Sequence, residues 1–313
     1  MTVTEAAKRS ALPLRVGMIG LDNSRVVTFA RLLNDDSHPY HVAGARLVAA
    51  WPGLVSPDFP MSAQRFDGFV AELRDRQGIR MTETINEVAE QCDALMLEAV
   101  DGRTRADLFE RIVAFRKPVF VDKPFALGSA DAERMLARAA ACGTPLMSCS
   151  ALRYAAALTE GLQSWGEEAM GADFYGPLPL EPTQAGYFWY GIHTAEMLFR
   201  VLGPECVEVR ARRTPDHDVI VGGWKDGRIG TIRGTRTGSE QFGGVLHGKT
   251  SSRTIEVSAE DKPYLASLLE EIIPFFATGR PPVDTAETLA IIRFLESANR
   301  SLLLDKQIKM SIS

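Results

Sequence analysis

LRVGMIG, residues 14–20, is followed after three residues by SRVVTFARLLN, residues 24–34. The first segment is short and apolar along its whole length, which reads as a strand buried on both faces. The second carries a helical pattern. A strand of that kind feeding directly into a helix is the first half of a βαβ unit. The same alternation continues downstream. RLVAA (46–50) is a second strand and SAQRFDGFVAELRDRQ (62–77) a long amphipathic helix. Thr84 and Glu87 stand at capping-box spacing and open a short helix. DALMLEA (93–99), PVFV (118–121) and PLMSC (145–149) are further strands, separated by helices over 104–115 and 129–142. With right-handed crossovers this predicts an α/β Rossmann-like domain with a parallel sheet over residues 14–150, preceded by a mobile lead over 1–13.

The second half changes character. A helix over 155–169 is followed by the Pro- and Gly-rich stretch GADFYGPLPLEPTQAG (171–186) and a helix starting near His193. Residues 205–258 are strand-like, with Asp226-Gly227 marking a hairpin, and helices return over 263–277 and 284–304. Residues 151–313 are therefore expected to form an α+β substrate domain with an open antiparallel sheet.

A chain of 313 residues suits two domains. Its 35 basic and 40 acidic residues give a net charge of -5, which argues against a nucleic-acid or anionic-membrane partner. Cys92, Cys142, Cys149 and Cys206 form no CxxC pair and have no histidine at zinc-finger spacing, so no metal site is expected. Scattered single cysteines fit a reducing compartment. MTVTEAAKRSALP has no signal-peptide core, and no segment approaches a membrane span. The expectation is a cytoplasmic protein with a small-molecule substrate.

Two segments carry chemistry. Lys123 lies in VFVDKPF, just past a predicted parallel strand, where open α/β sheets bind ligands. Pro124 keeps Lys123 out of the helical region and permits a cis bond, so the ammonium is aimed in a fixed direction to exchange a proton with a substrate oxygen. The plainer alternative is a solvated lysine in a turn. In GYFWYGIHTAEML (186–198), His193 opens a helix and Glu196 follows one turn later on the same face, spaced to fix the imidazole tautomer. Tyr187, Trp189 and Tyr190 crowd the approach. A histidine packed under an aromatic loop is the equal alternative. Arg153, in SALRY (150–154), either reaches a substrate anion or bridges the two domains.

These segments resemble the glucose–fructose oxidoreductase / inositol dehydrogenase (Gfo/Idh/MocA) family over roughly residues 14–300. Asp122-Lys123-Pro124 matches the family's Glu/Asp-Lys-Pro motif, and Gly191-Ile192-His193 with Glu196 matches its second motif. The order of parts agrees as well. The resemblance implies NAD- or NADP-dependent hydride transfer at a sugar, cyclitol or related carbon. It makes Lys123 the proton-relaying lysine, beside the cofactor, and His193 the substrate-facing histidine. It also implies a homodimer or homotetramer built through the second domain's sheet.

Departures stand beside the matches. The family's GxGxxG turn reads Gly20-Leu21-Asp22-Asn23-Ser24-Arg25 here. Asp22 replaces the glycine that lets a pyrophosphate approach, and two unit charges about 4 Å apart repel by about 4 kcal/mol at an effective dielectric of about 20. Arg25 offsets this by pairing with Asp22 or the phosphates, and Asn23 and Ser24 are candidates to cap the helix and donate to an anion. After the second strand the ribose-binding acid is missing. Trp51 stands there instead, either stacking on an adenine or covering the sheet edge. Trp189 replaces the Asp four residues before the histidine, and Tyr190 is the substitute proton donor. Glu98 and Asp101 add acidity after the fourth strand, either to serve a cationic substrate or, the favoured reading, to pair with Arg103 and Arg105. GGVLHGKT (243–250) fits the P-loop pattern, but strand text follows it, so it is a chance match.

Three functions follow, in order. The first is an NAD(P)-dependent oxidoreductase with Lys123, His193 and Tyr190 as catalytic residues. Its cofactor would rest on Gly20, Asp22, Asn23, Ser24, Arg25, Trp51 and Lys123, and its substrate on Arg153, Tyr187, Trp189 and Glu196. The second is a proton-transfer enzyme (lyase, isomerase or cyclase) that needs no cofactor. The third is a non-catalytic binder of small molecules.

Overall fold

The computed structural model describes residues 12–258 and 261–310. The first eleven residues of the expected lead lie outside them. The chain groups into two compact units.

The first unit runs to Asp122 and takes in Met135–Met147 and Leu268–Pro282. Its elements, in chain order, are β1 (Leu14–Ile19), α1 (Arg25–Asn34), β2 (Ala45–Trp51), α2 (Pro60–Ala63), α3 (Phe66–Ala71), β3 (Arg80–Met81), α4 (Ile85–Gln91), β4 (Ala94–Leu97), α5 (Arg105–Ile112), β5 (Val119–Val121), the greater part of α6 (Ser129–Cys142) and β6 (Leu146–Met147). The strands form one parallel sheet in the order β3-β2-β1-β4-β5-β6. Val16, Met18, Ile19, Leu95–Leu97 and Val119–Val121 are wholly buried, as strands covered on both faces must be. The reversal of strand order at β1/β4 creates the switch point at which doubly wound sheets bind ligands. Thr84 caps α4 as expected: its hydroxyl accepts from the Glu87 N–H at 3.3 Å and donates to the Glu87 carboxylate at 2.9 Å.

One expectation fails in this unit. The continuous helix over 62–77 is broken into α2, α3 and a π-helical turn over Glu72–Arg76. The reason is weak anchoring. No residue of α3 is buried, and Leu73 alone anchors the π turn. Most helical stability comes from a packed apolar face.

The second unit comprises Lys123–Arg134, Ser148–Ser267 and the chain from Val283 on. It contains α7 (Ala156–Trp165), β7 (Gly171–Pro177), α8 (Gly191–Leu202), β8 (Cys206–Arg213), β9 (His217–Trp224), β10 (Ile229–Thr235), β11 (Gly243–His247), β12 (Ser252–Glu256), the start of α9 (Tyr264–Thr278), α10 (Thr285–Leu304) and β13 (Ile308–Lys309). The seven strands lie in the order β12-β11-β7-β10-β9-β8-β13. The sheet is antiparallel except at β7/β10, which pair in parallel. β7 is the strand that the Pro- and Gly-rich reading missed. Ala172 and Phe174 alternate into the core, while glycine and proline at its ends mask the pattern. The Asp226-Gly227 hairpin forms between β9 and β10, with Gly227 at φ 91°. The P-loop look-alike folds as β11 and the turn into β12, and Thr250 is bonded to Glu167. No helix follows it, so it holds no phosphate cradle. One sheet face packs under α8 and α10. The other exposes Val219, Val221 and Ile229.

Candidate active site

In the first unit the turn after β1 keeps one feature of a nucleotide-binding turn. Gly20 sits at φ 84°, and a Cβ there would lie 2.7 Å from the backbone of Ala99, so only glycine fits. The residues after it do not behave as the sequence suggests. Asp22 is turned inward: its carboxylate accepts from the Val100 N–H at 2.8 Å and the Ser62 hydroxyl at 2.7 Å. Burial pushes its pKa up, against those two hydrogen bonds. The expected clash between Asp22 and a pyrophosphate therefore loses its basis, because the charge faces the protein. Arg25 pairs neither with Asp22 nor outward. It reaches Asp122, at the end of β5, at 2.5 Å. Asn23 caps α1, accepting from the Arg25 N–H at 2.7 Å, and its amide donates to the Glu98 carbonyl. The Ser24 hydroxyl makes no capping bond and is exposed.

A buried polar cluster backs this edge. Glu98 is wholly buried, and one of its carboxylate oxygens has no hydrogen-bond partner. Burial and the nearby Asp122 push its pKa up to about 8, opposed by Arg25, Asn23 and Arg105. Arg105 is buried too, donating to the Ala99 carbonyl and lying 3.7 Å from Asp122. Asp101 pairs with Arg103 at 2.7 Å, as its spacing suggested, and accepts from Ser56. Trp51 is 8% exposed, and the Arg111 guanidinium lies over its ring at 5.3 Å. That arrangement favours the edge-covering reading over adenine stacking.

Tested against a dinucleotide, the turn fits at the phosphate. The Gly20 cradle is intact, the Asp22 charge is averted, and the exposed Ser24 hydroxyl sits at the N-terminus of a ten-residue helix. Among the described residues the ribose end has no acid in the position after β2.

The second unit holds Lys123 and the helix start at His193. Lys123 is 5% exposed, and its Nζ donates to the Trp189 carbonyl at 3.2 Å. The ammonium lies 5.1 Å from the Trp189 ring and 5.6 Å from the Tyr190 ring, two cation–π contacts. The His193 ring meets Tyr190 edge-on at 5.3 Å and Phe242 at 5.8 Å. Lys123 and His193 thus both contact the Tyr190 ring. Trp189, standing where an aspartate was expected, offers Lys123 a carbonyl and a π face instead of a carboxylate. Beside Tyr190 and Phe242 opens a cleft of about 290 Å³, lined also by Thr235, Thr237 and Ser239. Hydroxyl groups on its wall suit a hydroxylated ligand. Gly176 makes room for this arrangement, since a Cβ there would lie 2.4 Å from the Phe242 ring.

Three sequence assignments change here. Glu196 does not orient His193; it meets Arg153 at 3.3 Å. Arg153 reaches Glu287 with its other nitrogen at 2.5 Å, so both of its carboxylate partners lie within the unit. Tyr187 is not part of the approach. It is fully buried, with the Arg213 guanidinium over its ring at 5.3 Å. Ser150 takes the place given to Glu196, its hydroxyl lying 2.6 Å from Nδ1 of His193. Ser150, Phe242 and Glu287 carried no sequence signal for these roles, because each comes from a distant segment.

No helix among the described residues is long and apolar enough to cross a membrane. Among them no group of three or more His, Cys, Asp or Glu side chains is placed to hold a metal ion. No family model and no curated protein matches the sequence. Solved structures do. A probable dehydrogenase from Thermotoga maritima is 20% identical at a TM-score of 0.76, over 95% of this chain and 99% of that one. GenD2 from gentamicin A biosynthesis, solved in complex with NAD, is 18% identical at 0.76, over 96% and 97%. The myo-inositol dehydrogenase from Lactobacillus casei, in complex with NAD(H) and myo-inositol, is 14% identical at 0.73, over 96% and 98%. At these identities the likeness is one of fold.

Proposed function

We propose that this chain is an NAD(P)-dependent oxidoreductase of the Gfo/Idh/MocA type, acting at a hydroxyl-bearing carbon of a polyol-, sugar- or cyclitol-like molecule. The observation that carries the reading is that Lys123 and His193 both contact the Tyr190 ring, at 5.6 and 5.3 Å from its centre. When a hydroxyl is oxidised to a carbonyl, its proton must leave as the C–O bond shortens; the Lys123 amine takes it while the His193 imidazole holds the same oxygen by a hydrogen bond. Tyr190 is a proton donor within the same wall, its ring lying 6.1 Å from that of Trp189. A bound nicotinamide supplies the hydride acceptor; Gly20, Ser24 and the first N–H groups of α1 would hold its pyrophosphate.

A second reading, proton transfer such as elimination or isomerisation without a nicotinamide, is favoured by one observation. Three side chains of the β1–α1 turn reach neighbouring strand ends: Asp22 to Val100, Asn23 to Glu98 and Arg25 to Asp122. They cross the switch-point edge along which a dinucleotide would lie. Calorimetric titration with NAD+, NADH, NADP+ and NADPH separates the two. The oxidoreductase predicts micromolar binding of one pair by the wild type. No binding by the wild type, with binding gained in Asp22→Gly, would leave the cofactor-free reading.

We also propose a homodimer or homotetramer formed through the open face of the second unit's sheet, where Val219, Val221 and Ile229 are exposed on adjoining strands. Light scattering should give a multiple of 34.3 kDa for the wild type and a smaller particle for Val221→Glu. A wild-type monomer at micromolar concentration would sink this assembly.

A further inference from the structure

Ser150 opens the 3-10 turn Ala151–Tyr154 and is wholly buried. Its backbone N–H lies near the Glu196 carboxylate and favours that group's charged form. Its hydroxyl accepts from the Leu152 N–H at 3.3 Å and lies 2.6 Å from Nδ1 of His193. With no exposed surface it is no nucleophile. Its polar groups are all committed to neighbours, and one of those neighbours is the imidazole.

We propose that Ser150 is a positioning residue for the acid–base pair: its hydroxyl donates to Nδ1 of His193 and fixes the neutral tautomer that carries its proton on Nε2. The proposal rests on the reading of Lys123 and His193 as that pair. A hydroxyl has one proton and two lone pairs. The Leu152 N–H occupies one lone pair, which leaves the proton for Nδ1. An imidazolium would reverse this, since both its ring nitrogens donate. The Ser150 oxygen would then accept twice, and its own proton would need a new partner in a buried place, at a cost. The edge contacts of Tyr190 and Phe242 hold the ring plane. His193 is thereby kept as a neutral hydrogen-bond donor towards the substrate oxygen, and the change of protonation falls to Lys123. Where a carboxylate partner would raise the basicity of the imidazole, a serine does not. The Glu196 carboxylate, three residues along the same helix, is paired with Arg153 at 3.3 Å.

The test is the protonation pattern of His193 in 15N-labelled protein, read from long-range 1H–15N spectra from about pH 5.5 to 8.5. Its signals are identified by their loss in His193→Asn. The wild type should keep the neutral Nε2–H pattern throughout. Ser150→Ala should show mixed tautomers and a titration within that range, with kcat reduced about tenfold, and Ser150→Thr, which keeps the hydroxyl, should restore both. A wild-type His193 that is protonated on Nδ1 or charged at neutral pH would overturn the proposal, and that measurement decides even if the alanine variant does not fold. An unchanged pattern in Ser150→Ala would overturn it too. Because the spectrum is read without turnover, a failed dehydrogenase assay beside the expected spectrum would count against the function and not against Ser150.

Discussion

Lys123→Met is expected to lower kcat by about 10²–10⁴-fold, the range for removal of a positioned acid–base group. The expectation rests on where the ammonium lies. Lys123 leaves the end of β5, is 5% exposed, and is bracketed by the Trp189 carbonyl and two aromatic rings, so its direction is set by the protein and not by solvent. Methionine fills nearly the same volume and keeps contact with the rings. The melting temperature should therefore move by only a few degrees, while the proton-exchanging atom is gone. Lys123→Arg should not rescue, since a guanidinium stays charged and cannot take up the proton. The measurement is steady-state kinetics on the best substrate of a polyol and cyclitol screen, with circular dichroism melts of each variant. Activity within threefold of wild type in Lys123→Met would remove the lysine from the chemistry and leave it a turn residue.

The parallel sheet was legible because its strands are buried on both faces and so are apolar without interruption. From LRVGMIG to PVFV the text alternates as the fold does. The two chemical segments were legible for the same reason: each sits at a strand end or helix start that the pattern locates. Partners across long separations were not. Glu196 stands one helical turn from His193, and spacing alone points to a contact, yet Arg153, 43 residues earlier, claims the carboxylate. Asp22 reads as a charge facing a phosphate. It turns inward because the Val100 N–H and Ser62 hydroxyl offer it hydrogen bonds that no local pattern announces. Tyr187 belongs to an aromatic run that looks like a pocket wall, and only two residues separate the buried member from the half-buried Tyr190. β7 was hidden by its own glycines and proline. The helix expected over 62–77 failed for the opposite reason: its amphipathic pattern was clear, but in α3 no residue is buried to hold it.

Arg153 carries the largest expected effect on stability. It is 7% exposed and is held between Glu196 at 3.3 Å and Glu287 at 2.5 Å, while its own carbonyl accepts from Arg200. Burial opposes its charge, but the two carboxylates hold it above the ordinary guanidinium range. Arg153→Met leaves two acids facing each other with nothing between them. Removing one partner of a buried ion pair costs about 3–5 kcal/mol, so the melting temperature should fall by roughly 10 °C. The loss should depend on pH, with a definite sign. Burial pushes Glu196 up to about 7, opposed by Arg153 and assisted by Glu287. A carboxyl whose pKa is higher folded than unfolded binds more protons when folded. Its contribution to stability is therefore complete below its ordinary value and declines as pH rises towards 7. Without Arg153 the Glu196 pKa rises further, so the variant should lose more stability at pH 8 than at pH 5. Arg153→Met/Glu196→Gln should recover part of the loss at pH 8, because it removes the uncompensated charge. Equal destabilisation at both pH values would mean that Arg153 acts through packing of its stem, with the ion pairs contributing little.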